Sequence, residues 1–175
     1  MPTKTRPSQD PVIARVALET PLGPVYLEFS AARLKKLTFA EENAPWPGAS
    51  ARLTPEKDLP KETLKVWRQV VQALEDYFGG KPVSFEDLPL ALEGGPFHLR
   101  VWQELQKIPA GETVSYREMA RRLGNPKAAR AIGQACGANP VPLIVPCHRV
   151  IASNGALGGF SSGLERKRWL LAARQ

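Results

Sequence analysis

Cys147 and His148 are adjacent in the segment Asn139-Pro140-Val141-Pro142-Leu143-Ile144-Val145-Pro146-Cys147-His148-Arg149-Val150. A thiol is mostly protonated at neutral pH, with a reference pKa of about 8.5. Only the thiolate is a competent nucleophile, so a reactive cysteine needs a base. His148 can supply one, directly or through a bridging water, since neighbours along an extended chain point in different directions. Three prolines stiffen the run, and the four apolar residues between Val141 and Val145 should bury it, leaving the thiol at the edge of a core. Spacing alone leaves two other readings open: a buried, inert cysteine, and a histidine that only packs.

The residues before this segment read as helices that carry it. Phe97, Val101, Trp102, Leu105 and Ile108 fall on one helical face, stopped by Pro109-Ala110-Gly111. Ser115-Tyr116-Arg117-Glu118 has the form of a capping box, in which the Ser hydroxyl accepts from the third backbone N–H and the Glu reaches back. The helix it opens should run to about Leu123. Gly124 suits the left-handed position after it. Asn125 is expected to cap a following helix, with Pro126 in its first turn, ending near Cys136. Two short helices joined by a tight Gly-containing turn form a helix-turn-helix pattern. The second helix carries Ala128, Ala129, Arg130, Ala131, Ile132, Gly133, Gln134 and Ala135. Its small residues allow close approach to a surface or a neighbouring helix. Arg130 is costly to bury without a partner and projects from this flat face.

The N-terminal half reads differently. Val12–Glu19, Val25–Phe29 and Leu34–Phe39 are expected to form a three-stranded antiparallel meander, with the Pro21-Leu22-Gly23-Pro24 turn after the first strand. Glu41–Pro60 reads as a loop. Leu64, Trp67, Val71, Leu74 and Phe78 mark an amphipathic helix over Lys61–Phe78, ended by Gly79-Gly80. Lys81–Gly95 is a loop-rich connector. The expected domains are a disordered tail over 1–10, an α/β domain over 11–92, and a mainly helical domain over 93–175.

Bulk composition narrows the classes. The 175-residue chain is 43% hydrophobic, enough for a real core. No apolar run approaches the roughly 20 residues that cross a bilayer, and the start lacks a secretory apolar region. A cytoplasmic chain with no membrane partner is therefore expected. Cys136 and Cys147 are the two cysteines and His98 and His148 the two histidines. No zinc spacing appears, so no metal is expected, and a reducing cytosol argues against a disulfide. From Arg100 onward there are 12 Lys/Arg against 4 Asp/Glu, whereas the first 99 residues are nearly neutral. A polyanion met by one half fits this asymmetry, and so does a merely solvated basic face.

The segment Pro146-Cys147-His148-Arg149-Val150 resembles the active-site signature of the O6-alkylguanine-DNA alkyltransferases, also called methylated-DNA–protein-cysteine methyltransferases. The resemblance extends through Gly111–Tyr116, Asn125–Ala131, Asn139-Pro140 and Lys167-Arg168-Trp169-Leu170-Leu171. It covers about Phe97 to Ala173 strongly and the N-terminal half in layout. It implies a ribonuclease H-like N-terminal α/β domain with an antiparallel sheet and a mainly α C-terminal domain. It also implies single-turnover repair of O6-alkylguanine, and of O4-alkylthymine, by irreversible transfer to Cys147 without a cofactor. The partner implied is double-stranded DNA, entered through its minor groove by a monomer.

In the roles the resemblance implies, Cys147 accepts the alkyl group, His148 acts through water as its base, and Asn139 braces the reactive turn. Tyr116, Ser161 and main-chain groups at Val150 would bond the flipped guanine, with Gly158-Gly159-Phe160-Ser161 as the pocket wall. Ala128, Ala129, Gly133 and Gln134 would lie against DNA. Arg130 would replace the extruded nucleotide, and Tyr116 would crowd the adjacent phosphate. A base inside a stacked duplex is out of reach, so flipping is required.

Two positions depart from the family pattern. Arg174 stands where the family places a Glu that orients the histidine, and Glu165 is nine residues earlier, roughly 13 Å along a helix. Slower transfer is expected from this. Cys136 stands at a pocket-lining position and is expected to take no alkyl group. Three other classes compete: a non-catalytic lesion-binding protein, a helix-turn-helix regulator and a thiol hydrolase.

Overall fold

A computed structural model describes residues 10–41 and 53–173. The expected tail falls almost wholly outside these residues, as do most of the expected 41–60 loop and Arg174. The chain divides into two compact units. The first runs to Gly79 and includes Ser84–Gly94, and the second comprises Gly80–Val83 and Gly95 onward.

The first unit is an antiparallel meander backed by one helix. Strands β1 (Ala14–Leu18), β2 (Val25–Ser30) and β3 (Arg33–Phe39) pair in sequence order. Val16 faces Leu27, and Leu27 faces Leu37. Leu34 and Leu37 are both buried although their odd separation should place them on opposite faces. A β-bulge between Glu28 and Phe29 resolves this: Glu28 pairs with Lys36 and Phe29 with Leu34, so Lys35 is the extra residue that resets the alternation.

Helix α1 spans Lys61–Phe78, the expected range, but with a different inward face. Thr63, Val66, Val70, Leu74 and Tyr77 are buried, whereas Leu64, Trp67, Val71 and Phe78 are half-exposed. The stripe is rotated by about one residue. Its anchor is polar: the Thr63 hydroxyl donates to Ala31 O at 2.6 Å, tying the helix start to the β2–β3 turn.

The second unit contains α2 (Pro96–Leu105), β4 (Val114–Ser115), α3 (Tyr116–Arg122), α4 (Ala129–Gly137), β5 (Val150–Ile151) and α5 (Leu164–Ala172). Pro96 sits in the first turn of α2, where a missing N–H costs nothing. Trp102 is buried and donates from its indole N–H to Ala135 O at 2.9 Å, locking α2 to α4.

The α3–α4 pair departs from the expected details. Ser115 Oγ accepts from Glu118 N at 3.0 Å, as a cap should. The Glu118 carboxylate, however, pairs with Arg121 and Arg122 rather than returning to the Ser115 backbone, because those cations lie one turn away on its own face. Gly124 has φ +77. Gly124 N bonds Arg121 O, and Asn125 N bonds Ala120 O, a Schellman closure that needs the left-handed glycine. Asn125 does not cap α4. Its side chain accepts from Lys127 N and its carbonyl from Ala128 N, making a separate turn, and α4 begins only at Ala129.

A short parallel sheet was not expected. Val114 pairs with Val150 and Ser115 with Ile151. Two-residue strands carry no readable periodicity. This pairing sets the start of α3 beside the chain that leaves the reactive segment.

Candidate active site

The reactive segment is bound by its own backbone. Asn139 is buried; its Nδ2 donates to Val145 O at 2.8 Å and its Oδ1 accepts from Val141 N at 2.9 Å. Val145 N returns to Val141 O, closing a turn in which buried Leu143 takes φ +74. That value is unusual for a bulky residue and marks a turn held by its surroundings. Pro146, at φ −80 and ψ 61, is the centre of an inverse γ-turn, with Cys147 N donating to Val145 O at 2.8 Å. The chain then enters a 3-10 turn, Cys147–Arg149, instead of the extended path expected at this point. Arg149 anchors it through a bond to Ile108 O at 2.9 Å.

Cys147, itself almost fully buried, lines a cavity of about 400 Å³. Tyr116 from α3, Ala129, Arg130, Gly133 and Cys136 from α4, and Gly159, Phe160 and Ser161 from the loop before α5 contribute to its walls. Of the residues expected to bond the base or wall its pocket, Val150 and Gly158 do not line it; Asn139 and His148, expected to brace and activate the thiol, and Ala128 and Gln134, expected against DNA, also lie outside its lining. Ala128 is buried and Gln134 is exposed. Val150 is fully buried, and its carbonyl already accepts from Lys167 Nζ at 2.7 Å. Gly137 lines the cavity without having been singled out, because a glycine at a helix end carries no distinctive signal.

Burial raises the Cys147 thiol pKa. Hydrogen bonding from Asn139, the charge of Lys167 and the backbone N–H groups of Cys147 and His148 oppose that rise. Cys136 has less opposing it, and burial with the nearby Cys147 pushes it up to about 12. Two thiols share one cavity, but only Cys147 has hydrogen-bond donors that favour its thiolate.

His148 is buried at a small void lined also by Gly111, Glu112, Thr113, Arg149, Leu170 and Leu171. Its Nδ1 has no hydrogen-bond partner among the described residues. Burial, with Arg149 and Lys167 nearby, lowers its pKa to about 3. The resting pair is therefore thiol and neutral imidazole, not thiolate and imidazolium. An unfolded histidine titrates near 6.5, so between about 6.5 and about 3 the unfolded chain holds the additional proton. Folding stability is thus expected to fall as pH drops through that window. Urea titrations at several pH values should show a flatter dependence for His148→Gln than for the parent, and equal slopes would contradict this burial.

Fold and cavity together define a two-unit protein in which a helix-turn-helix walls a single hydrogen-bonded thiol. Residues 14–92 match the family described as 6-O-methylguanine DNA methyltransferase, ribonuclease-like domain, and residues 96–175 the 6-O-methylguanine DNA methyltransferase, DNA binding domain. A methylated-DNA–protein-cysteine methyltransferase of Methanosarcina acetivorans is 42% identical over 153 residues, covering 87% of this chain and 92% of that protein. The solved O6-methylguanine methyltransferase of Mycobacterium tuberculosis aligns with TM-score 0.78 and 37% identity over 92% of each chain. A DNA complex of the OGT protein from that organism aligns at 0.77 and 38%, covering 93% of this chain and 92% of that one. The chain belongs to the methylated-DNA–protein-cysteine methyltransferase family.

Proposed function

We propose that this protein repairs DNA by moving the alkyl group of O6-alkylguanine, and of O4-alkylthymine, to Cys147. The observation that carries the reading is that Cys147 lines one cavity together with Arg130 and other residues of α4. A flipped nucleotide entering beside the helix-turn-helix meets the sulfur directly. The sulfur attacks the alkyl carbon, the S–C bond forms as the C–O bond breaks, and the electron pair stays on the base. His148 takes the thiol proton through a water as the charge leaves the sulfur. Tyr116 and Ser161 hydrogen-bond the base; Tyr116 gives it a proton, and the proton held at His148 passes back through water to the phenolate, so both side chains end neutral. The product thioether has no leaving group for hydrolysis, so each molecule acts once and needs no cofactor.

Arg117, Lys127 and Arg130 are exposed on the α3–α4 face and supply sequence-independent phosphate affinity with strong salt dependence. Minor-groove entry suits the Ala- and Gly-rich α4. The protein acts as a monomer, in a cytosol that keeps both thiols reduced. Among the described residues no helix is long and apolar enough to cross a membrane.

The test is to mix the protein with duplex DNA containing O6-methylguanine and weigh it. One methyl should appear on the Cys147 peptide and none on the Cys136 peptide, because Cys136 stays protonated. No gain means a lesion-binding protein, and transient gain means a hydrolase. Arg130→Ala should slow transfer from duplex DNA much more than from a single-stranded oligonucleotide, since only the duplex needs a side chain to hold the gap. Equal slowing on both substrates would assign Arg130 to phosphate binding alone.

A further inference from the structure

We infer that Glu118 limits the protein's grip on undamaged DNA: as a positioning residue, its carboxylate ties up Arg121 and Arg122 on the exposed side of the helix-turn-helix. Glu118 Oε2 accepts from Arg121 Nε at 2.8 Å, and Oε1 accepts from Arg121 Nη2 at 3.0 Å. The same Oε1 accepts from Arg122 Nε at 3.2 Å. One carboxylate thus serves two guanidiniums and grips the first with two bonds. Hydrogen bonds from Arg121, then from Arg122, hold its pKa below the ordinary carboxylate range, so it is charged at neutral pH. The Arg121 side chain is 72% exposed, which leaves it open to a phosphate once the carboxylate is gone.

From Tyr116 to Gly137, the span of α3, the turn and α4, Glu118 is the only acidic residue, against Arg117, Arg121, Arg122, Lys127 and Arg130. Arg121 follows Arg117 by four residues and so lies one turn further along the same exposed stripe. Met119 and Ala120 fill the buried side of α3. Position 121 therefore continues the row of cations that meets phosphate. Helix stability does not account for the carboxylate. Exposed ion pairs contribute little, and the α3 cap uses the Glu118 backbone N–H, not its side chain. Toward a phosphate the same carboxylate acts twice: it repels by like charge, and it occupies two donors. Phosphate contacts are the same on damaged and undamaged duplex, so they add affinity without discrimination. Lesions compete with a vast excess of undamaged DNA. For a protein that acts once on a rare base, two further phosphate contacts would mainly lengthen each stop on undamaged sequence.

The inference rests on DNA as the partner, but its test needs neither a lesion nor Cys147. Fluorescence titration of an undamaged duplex at several salt concentrations gives the slope of log K against log [salt], about −0.9 for each phosphate neutralised. Glu118→Gln keeps the side chain's length and removes its charge. It should bind about tenfold tighter at low salt and steepen the slope by about 0.9 to 1.8, the value of one or two released cations. A carboxylate that served only the helix would leave the slope unmoved. In an Arg121→Gln, Arg122→Gln background the same Glu118→Gln change should not steepen the slope, because no cation is left to release. A parent-like slope in Glu118→Gln overturns the inference. Equal steepening without the two arginines overturns it as well, since the carboxylate would then act on phosphate by itself. A second measurement leaves Glu118 in place: Arg117→Gln should flatten the slope by about one phosphate, and Arg121→Gln by much less. Equal flattening would mean that Arg121 already meets phosphate and would overturn the inference. A protein that accepts no methyl from DNA yet shows these slopes would lose the proposed function and keep this role for Glu118.

Discussion

Methyl transfer from O6-methylguanine DNA to a Cys147→Ser variant is expected to fall below detection, while binding to the same duplex should be retained. The loss has a chemical origin. A serine hydroxyl is a far weaker acid than a thiol and needs a strong base to attack carbon. The neighbouring imidazole, weakened as a base by burial, can help a thiol lose its proton to a water but not a hydroxyl. The cysteine manages because its sulfur is intrinsically nucleophilic and because Asn139, Lys167 and two backbone N–H groups favour its anion. Binding survives because the exposed cations Arg117, Lys127 and Arg130 lie on α3, on α4 and in the turn between them, outside the reactive turn. Stability should change little, since the smaller hydroxyl can still meet the Asn139 amide. Intact-mass measurement and a fluorescence binding titration on one preparation separate the two effects. A variant that still gains a methyl would remove Cys147 from the chemistry altogether.

Local chemistry in this chain was legible to the extent that it is contiguous. Cys147 and His148 are neighbours, and Asn139 with its prolines announces a stiff turn, so the reactive segment stood out before any fold was known. The Gly124 closure and the Ser115 cap follow from rules that act within a few residues, and both are present. Contacts that depend on distant partners were not legible. The α1 face is set by Thr63 finding Ala31 O, and nothing in helical periodicity reports that bond. The Leu34–Leu37 spacing needs a bulge created across the strand pair. Lys167 reads as one more cation in Glu165-Arg166-Lys167-Arg168, and only packing separates it from exposed Arg168. His148, expected to act on the thiol directly or through a water, lines a small separate void rather than the cavity, because successive residues in a tight helical turn diverge around the axis.

The same distance effect makes Gly158 the most sensitive position outside the thiol. Taken alone, Gly158-Gly159 reads as an ordinary turn. In the structure Gly158 has φ +70, and a Cβ built there would lie 2.6 Å from the Tyr116 Oη and 2.8 Å from its Cε2. Two penalties therefore combine in Gly158→Ala. The left-handed backbone costs a side-chain-bearing residue roughly 1–2 kcal/mol, and overpacking adds typically about 1–3 kcal/mol. Tyr116 must shift to admit the new methyl, and a glycine at 133 leaves its other edge uncrowded, since even a Cβ there would lie 3.9 Å from the ring. Relief must come either from moving the Gly158–Ser161 wall or from pushing the phenol into the cavity where the base is to sit. Both outcomes cost transfer more than they cost duplex affinity. Gly158→Ala is thus expected to lower the single-turnover rate by at least about a hundredfold, the effect of roughly 2.7 kcal/mol, with a modest fall in the urea midpoint. A Gly158→Ala, Tyr116→Phe double variant removes the oxygen that the new Cβ meets first. It should recover the urea midpoint relative to Gly158→Ala if the clash dominates, a readout that the loss of the phenol's role in transfer does not enter. Should the midpoint stay where Gly158→Ala puts it, the left-handed backbone rather than the Tyr116 contact is what fixes glycine at this position.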